Sequence, residues 1–497
     1  MVPCRSSRET PSPIARDVSA PRVCVIGAAG SGQRLHPRTT TIPKVMLEVA
    51  GKPLLTRQLE LARDALGIRT VHLIVGHLHE QIRAAYRDGH EMGLELHYLH
   101  HPEFQRGLGT ALLAIEPHVQ EPFVFLLGDE FYLESNMAEL PRVVTPYAAV
   151  CGLLETDDPE IIRKNYEVTI EGDRITSLIE KPEQPRSPYA GCGAYVFTPE
   201  IYRFAHETPV SPRSGRLELT DIIDRAAREG AVVKPFVIRG HYVNVNTIED
   251  WNAANYLCRS LHFERHRVSL VIPAYNEAAS IGSVLRDFKP HVFEMIVVDN
   301  CSADGTAEVA RDAGATVISQ PTRGFGDAIK RGLDAAQGEI LVMVEADGTF
   351  RAKDLGKLLE FLKDADMVVG TRTTREMIEQ GANMDGILRI ANILWGKIIE
   401  ALWWNVEPRY TDVGCTYRAL WRDSYLKIRD FLVSDGAPFL PELVIEMMQA
   451  RCRVIEIPVS YYRRRAGESK FSGSRWQSAK TGLRMLRLIL GRRFNLP

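Results

Sequence analysis

Gly27-Ala28-Ala29-Gly30-Ser31-Gly32-Gln33-Arg34-Leu35, closing with Pro43-Lys44, follows an apolar run at Arg22–Ile26. The second half of the chain restarts the same way. Val271-Ile272-Pro273-Ala274-Tyr275-Asn276-Glu277 ends an apolar run in polar residues, and Val298-Asp299 and Glu345-Ala346-Asp347 do so again. A strand that empties into a polar loop and then a helix sets that loop at the carboxyl edge of a sheet, where α/β proteins bind ligands. Two such beginnings in one chain predict two ligand sites.

Working outward, the first half alternates apolar runs with helical patterns. Arg22–Ile26, Val71–Val75, Leu94–Leu99 and Phe123–Leu127 read as strands. Leu55, Leu59, Ala62 and Leu66 mark one helix face. In the second half Val268–Ile272, Met295–Val298, Thr316–Ile318 and Ile340–Val344 read as strands, with Asp327–Ala336 helical between them. This alternation predicts largely parallel α/β sheets. The expected architecture is two Rossmann-like nucleotide-binding domains in tandem. The expected boundaries are a disordered leader at 1–20, a first domain at 21–258, a charged linker at 259–267 and a second domain at 268–497. The halves share no residue register, so the chain is not a solenoid repeat.

A chain of 497 residues exceeds one typical core. With 45% hydrophobic and 25% charged residues it is an ordinary globular composition. A net charge of −2 gives no global attraction to nucleic acid. The eight cysteines form no CxxC pair, which speaks against a zinc site and fits a reducing cytoplasm. The first twenty residues lack the apolar segment of a secretory signal. The apolar stretch Ile387 to Trp404 carries Arg389, Lys397 and Glu400, which argues against a membrane span. From Arg451 to the end, twelve Lys/Arg face only Glu456 and Glu468. That tail is either a solvated surface or a patch for phosphate or anionic lipid.

In the first half, glycines such as Gly30 and Gly32 let backbone amides approach phosphate, with Arg34 and Lys44 to neutralise its charge. The same loop is not a dinucleotide fingerprint, because it lacks the Gly-x-Gly-x-x-Gly spacing. Asp129 ends a strand as a hard carboxylate suited to Mg²⁺. The string from Gly30 through Pro43-Lys44 to Gly51-Lys52-Pro53-Leu54 resembles the sugar-phosphate nucleotidyltransferases, over about Val23 to Trp251. The resemblance extends to Gly107-Leu108-Gly109-Thr110-Ala111 as a base-contacting loop, Leu127-Gly128-Asp129 as a metal-binding turn and Glu180-Lys181-Pro182 as a sugar contact. It implies metal ligation by Asp129 with Asn246 or Asn244, since Val243-Asn244-Val245-Asn246-Thr247 stands where many members carry Asp. Glu167 replaces a glycine that lies against the sugar in many members.

In the second half, the acidic strand ends at Glu277, Asp299 and Asp347 share one sheet edge. In that order they resemble the family 2 glycosyltransferases of the GT-A fold, over about Arg267 to Leu490. By that resemblance Pro273, Tyr275, Glu277 and Asp299 contact the donor nucleoside, and Glu345 and Asp347 stand as the Asp-x-Asp metal motif. Thr411-Asp412-Val413-Gly414-Cys415-Thr416-Tyr417-Arg418 resembles the acceptor-side segment, with Asp412 either catalytic or structural and Arg418 facing the acceptor. Arg463-Arg464-Arg465-Ala466-Gly467-Glu468-Ser469-Lys470 resembles a loop that closes over diphosphate, through Arg465, Ser469 and Lys470.

The two resemblances together imply a bifunctional enzyme. A nucleoside triphosphate and a sugar-1-phosphate would give a nucleotide-sugar, and the sugar would pass to an acceptor such as a polyprenyl phosphate, with Mg²⁺ or Mn²⁺ as cofactor. The alternative is that one half is a degenerate binding module. The expected setting is cytoplasmic, peripheral on the inner face of a membrane. The apolar side of the tail (Leu483, Leu486, Ile489, Leu490), with Trp395, Trp403 and Trp404, would touch lipid, or else pack on the protein's own core.

Overall fold

The computed structural model describes residues 20–143, 146–382, 386–404, 408–465 and 475–494. The leader at 1–19 and Ser469 and Lys470 lie outside these residues. The chain divides into two units between Ala254 and Asn255. The helix Ile248–Ser260 runs through that division. Within 259–267, read as a linker, Arg259 is buried and ion-paired with Asp366.

The first unit holds a nine-stranded sheet. Its parallel centre is formed by Val23–Ala28 flanked by Phe123–Leu127 and Thr70–Val75, with Glu95–His100 beyond. The other edge turns antiparallel through Tyr189–Phe197, which pairs both Phe123–Leu127 and Ala149–Glu155. Side chains alternate between faces as strand geometry demands. Val23 and Val25 enter one core with Phe123 and Phe125, while Cys24 and Ile26 enter the opposite one with Val124 and Leu126. Leu55, Leu59 and Ala62 are fully buried against that second face, and Leu66 is nearly so. The first three of these follow the periodicity through Leu54–Glu60 and the π-turn Leu61–Ala65.

The second unit holds a seven-stranded sheet. In spatial order its strands are Thr316–Ser319, Glu294–Asp299, Val268–Ala274, Ile340–Met343, Arg418–Trp421, Met367–Thr371 and Val454–Pro458. Arg418–Trp421 runs antiparallel to both neighbours, and the remaining pairs are parallel. Leu270 and Ile272 pack on one face and Val271 on the other.

The C-terminal helix Arg475–Phe494 bears on the two readings of the tail. Ile489 is fully buried in the unit's own core. Arg492 is committed to ion pairs with the buried Glu442 and Glu446 at 2.7 and 3.0 Å. The side expected to face lipid is therefore anchored inward at that end, because a branched apolar side chain gains more from a dry, packed core than from an exposed surface. Leu483 remains 69% exposed. Among the described residues no helix is long and apolar enough to cross a membrane.

Candidate functional sites

In the first unit two adjacent strands deliver the site. Val23–Ala28 empties into the glycine loop, and Phe123–Leu127 empties into Gly128-Asp129. The Gly128 amide donates to the Gly27 carbonyl at 2.9 Å, which ties the two strand ends together. Gly32 has φ of 64°, and a Cβ there would lie 3.0 Å from Thr39 and 3.1 Å from Lys44. Only glycine takes that left-handed turn without strain, and the turn sets Arg34 and Lys44 on the same side.

These residues converge. Lys44 Nζ donates to the Asp129 carboxylate and, at 2.9 Å, to Asn246 Oδ1. Arg34 Nη2 donates to the same oxygen at 2.9 Å. Asn246 in turn donates to Asn244 Oδ1, and Asn244 donates to Glu130 Oε1 at 3.2 Å. Six residues from three distant stretches thus form one hydrogen-bonded chain. Each amide is oriented by its partner, so Asn246 presents its oxygen, not its nitrogen, towards the cations.

Glu130 belongs to this centre and was not singled out from the sequence. It is buried, and burial, then the charge of Asp129, pushes its carboxyl up to about 8. The Gly193 amide donates to it at 2.7 Å. A second acid after Gly-Asp was the available signal, but a lone glutamate opening a strand is ordinary. Away from this cluster, Thr110 donates to the Gly107 carbonyl at 2.6 Å, and its hydroxyl meets His101 Nε2 at 2.9 Å. Gly30 is exposed on the loop. Glu180 accepts from Thr220 at 3.1 Å and pairs with Lys181 at 3.2 Å. Glu167 is spent on the amides of Arg186 and Ser187, so it fastens the segment after Glu-Lys-Pro.

In the second unit a cavity of about 270 Å³ opens at the carboxyl edge, lined by Pro273, Tyr275, Glu277, Glu345, Asp347 and Arg464 among others. Asp347 Oδ1 accepts the Thr349 amide and hydroxyl at 3.0 and 2.6 Å. Its Oδ2 lies 2.7 Å from Arg464 Nη2, while Arg464 Nη1 reaches Glu277 at 3.3 Å. Glu345 accepts from Thr416 at 2.8 Å, and burial, then the charge of Asp347, raises its carboxyl to about 7. Asp299 ends its strand and accepts the Ser302 amide at 3.3 Å, and the next residue, Asn300, lines the cavity. Arg323, which sequence reading passed over, lies 3.8 Å over the Tyr275 ring and lines the same cavity. Its signal was a basic residue before a glycine at a helix start, which is common.

Two sequence readings change here, and a third, left open between two roles, is narrowed. The arginine in the cavity is Arg464, while Arg465 is exposed beside Gly348. Arg418 is fully buried, and its guanidinium donates to the carbonyls of Cys415, Leu440 and Val413 at 2.8, 2.7 and 2.6 Å. With its donors spent on backbone it clamps the fold and does not face an acceptor. Asp412 is fully buried in a bidentate pair with Arg372, at 2.7 and 2.9 Å. It is held as the counter-charge that fixes Arg372.

The donor sets suit a hard divalent ion. Asp129 and the Asn246 amide oxygen converge on one cationic nitrogen, and the carboxylates Glu345 and Asp347 line one cavity. Mg²⁺ asks for one or two carboxylates and takes its remaining oxygens from water and phosphate.

Family comparison fits this geometry. Residues 23–259 match the nucleotidyl transferase family and residues 269–425 match glycosyl transferase family 2. A UTP–glucose-1-phosphate uridylyltransferase, AglF of Haloferax volcanii, is 36% identical over 46% of this chain and 93% of its own length. An uncharacterized glycosyltransferase of Mycobacterium bovis, Mb0553, is 34% identical over 42% of this chain and 90% of its own length. Glycosyltransferase AglJ of Haloferax volcanii is 33% identical over 40% of this chain, which spans 64% of that protein. The chain belongs to both families, its first unit a nucleotidyltransferase and its second a family 2 glycosyltransferase of the GT-A fold. It is thus a transferase whose substrates are nucleotides with sugar phosphates or nucleotide-sugars.

Proposed function

We propose that the chain is a bifunctional enzyme, which makes a nucleotide-sugar in its first unit and passes the sugar to a polyprenyl phosphate in its second. The observation that supports it is one arrangement present twice. Each unit gathers a strand-end carboxylate and a basic side chain at the carboxyl edge of its sheet, Asp129 with Lys44 and Asp347 with Arg464.

In the first reaction an oxygen of the sugar-1-phosphate attacks the α-phosphorus, and the bond to pyrophosphate breaks. Positioning and charge are what the protein must supply. Arg34 and Lys44 hold the triphosphate, Gly107 and Thr110 border the base, and Glu180 and Lys181 hold the sugar phosphate. In the second reaction an anionic acceptor oxygen attacks the anomeric carbon and the nucleoside diphosphate leaves. That oxygen is already ionised, so no strong base is required. Glu277 and Asp299 hold the nucleoside, and Arg464 faces the diphosphate. Mg²⁺ or Mn²⁺, held by Asp129 with Asn246 and by Asp347 with Glu345, would supply charge to the phosphates. The reaction takes place at the cytoplasmic face of a membrane. The test offers the purified protein nucleoside triphosphates and sugar-1-phosphates in a panel, follows pyrophosphate release, then adds a prenyl phosphate and follows sugar transfer. Pyrophosphate release without transfer to any prenyl phosphate would defeat the acceptor assignment.

A further inference from the structure

The helix Gly386–Leu402 has two unlike faces. Inward, Ile399 is fully buried, and a Cβ at Gly396 would lie 2.3 Å from the Tyr410 carbonyl. Only glycine allows that approach, so the helix lies directly on the segment that leads into Thr411 and Asp412. Outward, Ile390, Leu394, Lys397, Ala401 and the following Trp404 recur every three or four residues and are all exposed. Ile390 is 66%, Leu394 57% and Trp404 72% exposed. Lys397 is neutralised by Glu400 at 2.7 Å. An apolar stripe of this kind on a surface helix is unusual enough to require a partner.

The C-terminal helix joins the same surface. A Cβ at its Gly482 would sit 3.4 Å from the Trp395 ring, and the next residue is the exposed Leu483. Arg484, Arg487 and Arg493 are exposed along it, and its twenty residues contain no Asp or Glu. Apolar side chains flanked by exposed arginines on a helix without acids match an anionic lipid surface. A second copy of this chain, related by a two-fold axis, would set the same arginines against one another.

We propose that the stripe Ile390–Leu394–Trp404, extended by Leu483, seats the second unit on anionic lipid. The proposal rests on the lipid-phosphate reading of the acceptor. It assigns the contact to the outer face of Gly386–Leu402, whereas the tail is held inward by Ile489 and Arg492.

The test co-sediments the full chain with phosphatidylglycerol vesicles and with pure phosphatidylcholine vesicles. Wild type should pellet with the first and not the second. Ile390→Glu with Leu394→Glu should weaken that binding by roughly tenfold or more, since two buried apolar contacts are lost. Val210→Glu, at an exposed apolar site in the first unit, should not. The double variant should keep its pyrophosphate release and its transfer to a detergent-dispersed prenyl phosphate, which also shows that it folds. Brominated phosphatidylglycerol should quench wild-type tryptophan fluorescence, and Trp404→Phe should lose most of that quenching. Wild type left in the supernatant, or a double variant that binds equally well, overturns the proposal. So does a double variant that turns a wild-type dimer into a monomer by sedimentation velocity without vesicle binding in either. Vesicle binding with no transfer to dispersed prenyl phosphate would instead strike the acceptor reading and leave the surface standing.

Discussion

Arg464 holds the carboxylate of Asp347 at 2.7 Å from a loop 117 positions further along the chain (464 less 347). In the other unit Lys44 does the same for Asp129. Neither carboxylate is paired within its own strand–loop segment. Each depends on a cation delivered from elsewhere in its unit, so each centre is complete only when that unit is folded. The charge balance also means that removing the acid leaves a cation facing phosphate, not an empty site. Loss of activity in such variants therefore reports on the acid's chemistry more than on substrate binding.

Asp129→Ala should lower pyrophosphate release by about a hundredfold or more, since the carboxylate that would hold a divalent cation at the reacting phosphates is lost. Sugar transfer from a supplied nucleotide-sugar should be unchanged. Paired assays on one preparation check it, and undiminished pyrophosphate release would remove Asp129 from the centre.

Asp347→Ala should have the reverse pattern. Transfer should fall by about two orders of magnitude or more while nucleotide-sugar synthesis continues. Product accumulation, followed by chromatography, would show the intermediate building up. A parallel fall in both activities with intact circular dichroism would contradict two independent sites.

Arg418→Leu should destabilise the second unit by about 3 kcal/mol or more, because three buried carbonyls lose their donor. Urea unfolding should show a lowered midpoint for that unit, with pyrophosphate release surviving at concentrations that abolish transfer. If instead the variant is as stable as wild type and its KM for the acceptor rises, Arg418 is an acceptor contact after all.

His72 gives a pH signature to the first unit. Burial, then the neighbouring His97 and His118, lowers its imidazole to about 4 from the usual 6.5. Between those values the unfolded chain binds the proton and the folded chain does not. Stability should thus fall as pH drops from about 6.5 towards 4 and be insensitive to this group above that window. His72→Val should flatten the acid limb of the urea midpoint plotted against pH, and an unaltered acid limb would discount the group.

The strand pattern was legible because burial on both faces leaves near-continuous apolar runs. Phe123–Leu127 was readable to the residue. The acids at strand ends were legible for the same reason, since a charge cannot continue into the core. Which arginine of Arg463, Arg464 and Arg465 enters the cavity was not legible. Consecutive residues in an irregular loop have no fixed period, and only the path of the chain selects Arg464. Arg418 was misleading because a guanidinium is almost always at the surface. Nothing local marks the three carbonyls that bury it. The tail stayed open between lipid and the protein's own core, as a helical wheel orders residues around an axis but does not say which side the fold has already claimed.

That claim has a practical edge. Glu442 and Glu446 are almost wholly buried, and both take their counter-charge from Arg492, in the last turn of the helix Arg475–Phe494. Trimming the chain upstream of Arg492 would strand two acids in an apolar interior, whereas stopping just after Phe494 would not. The final turn of the last helix is thus the clasp that decides how short the second unit can be made.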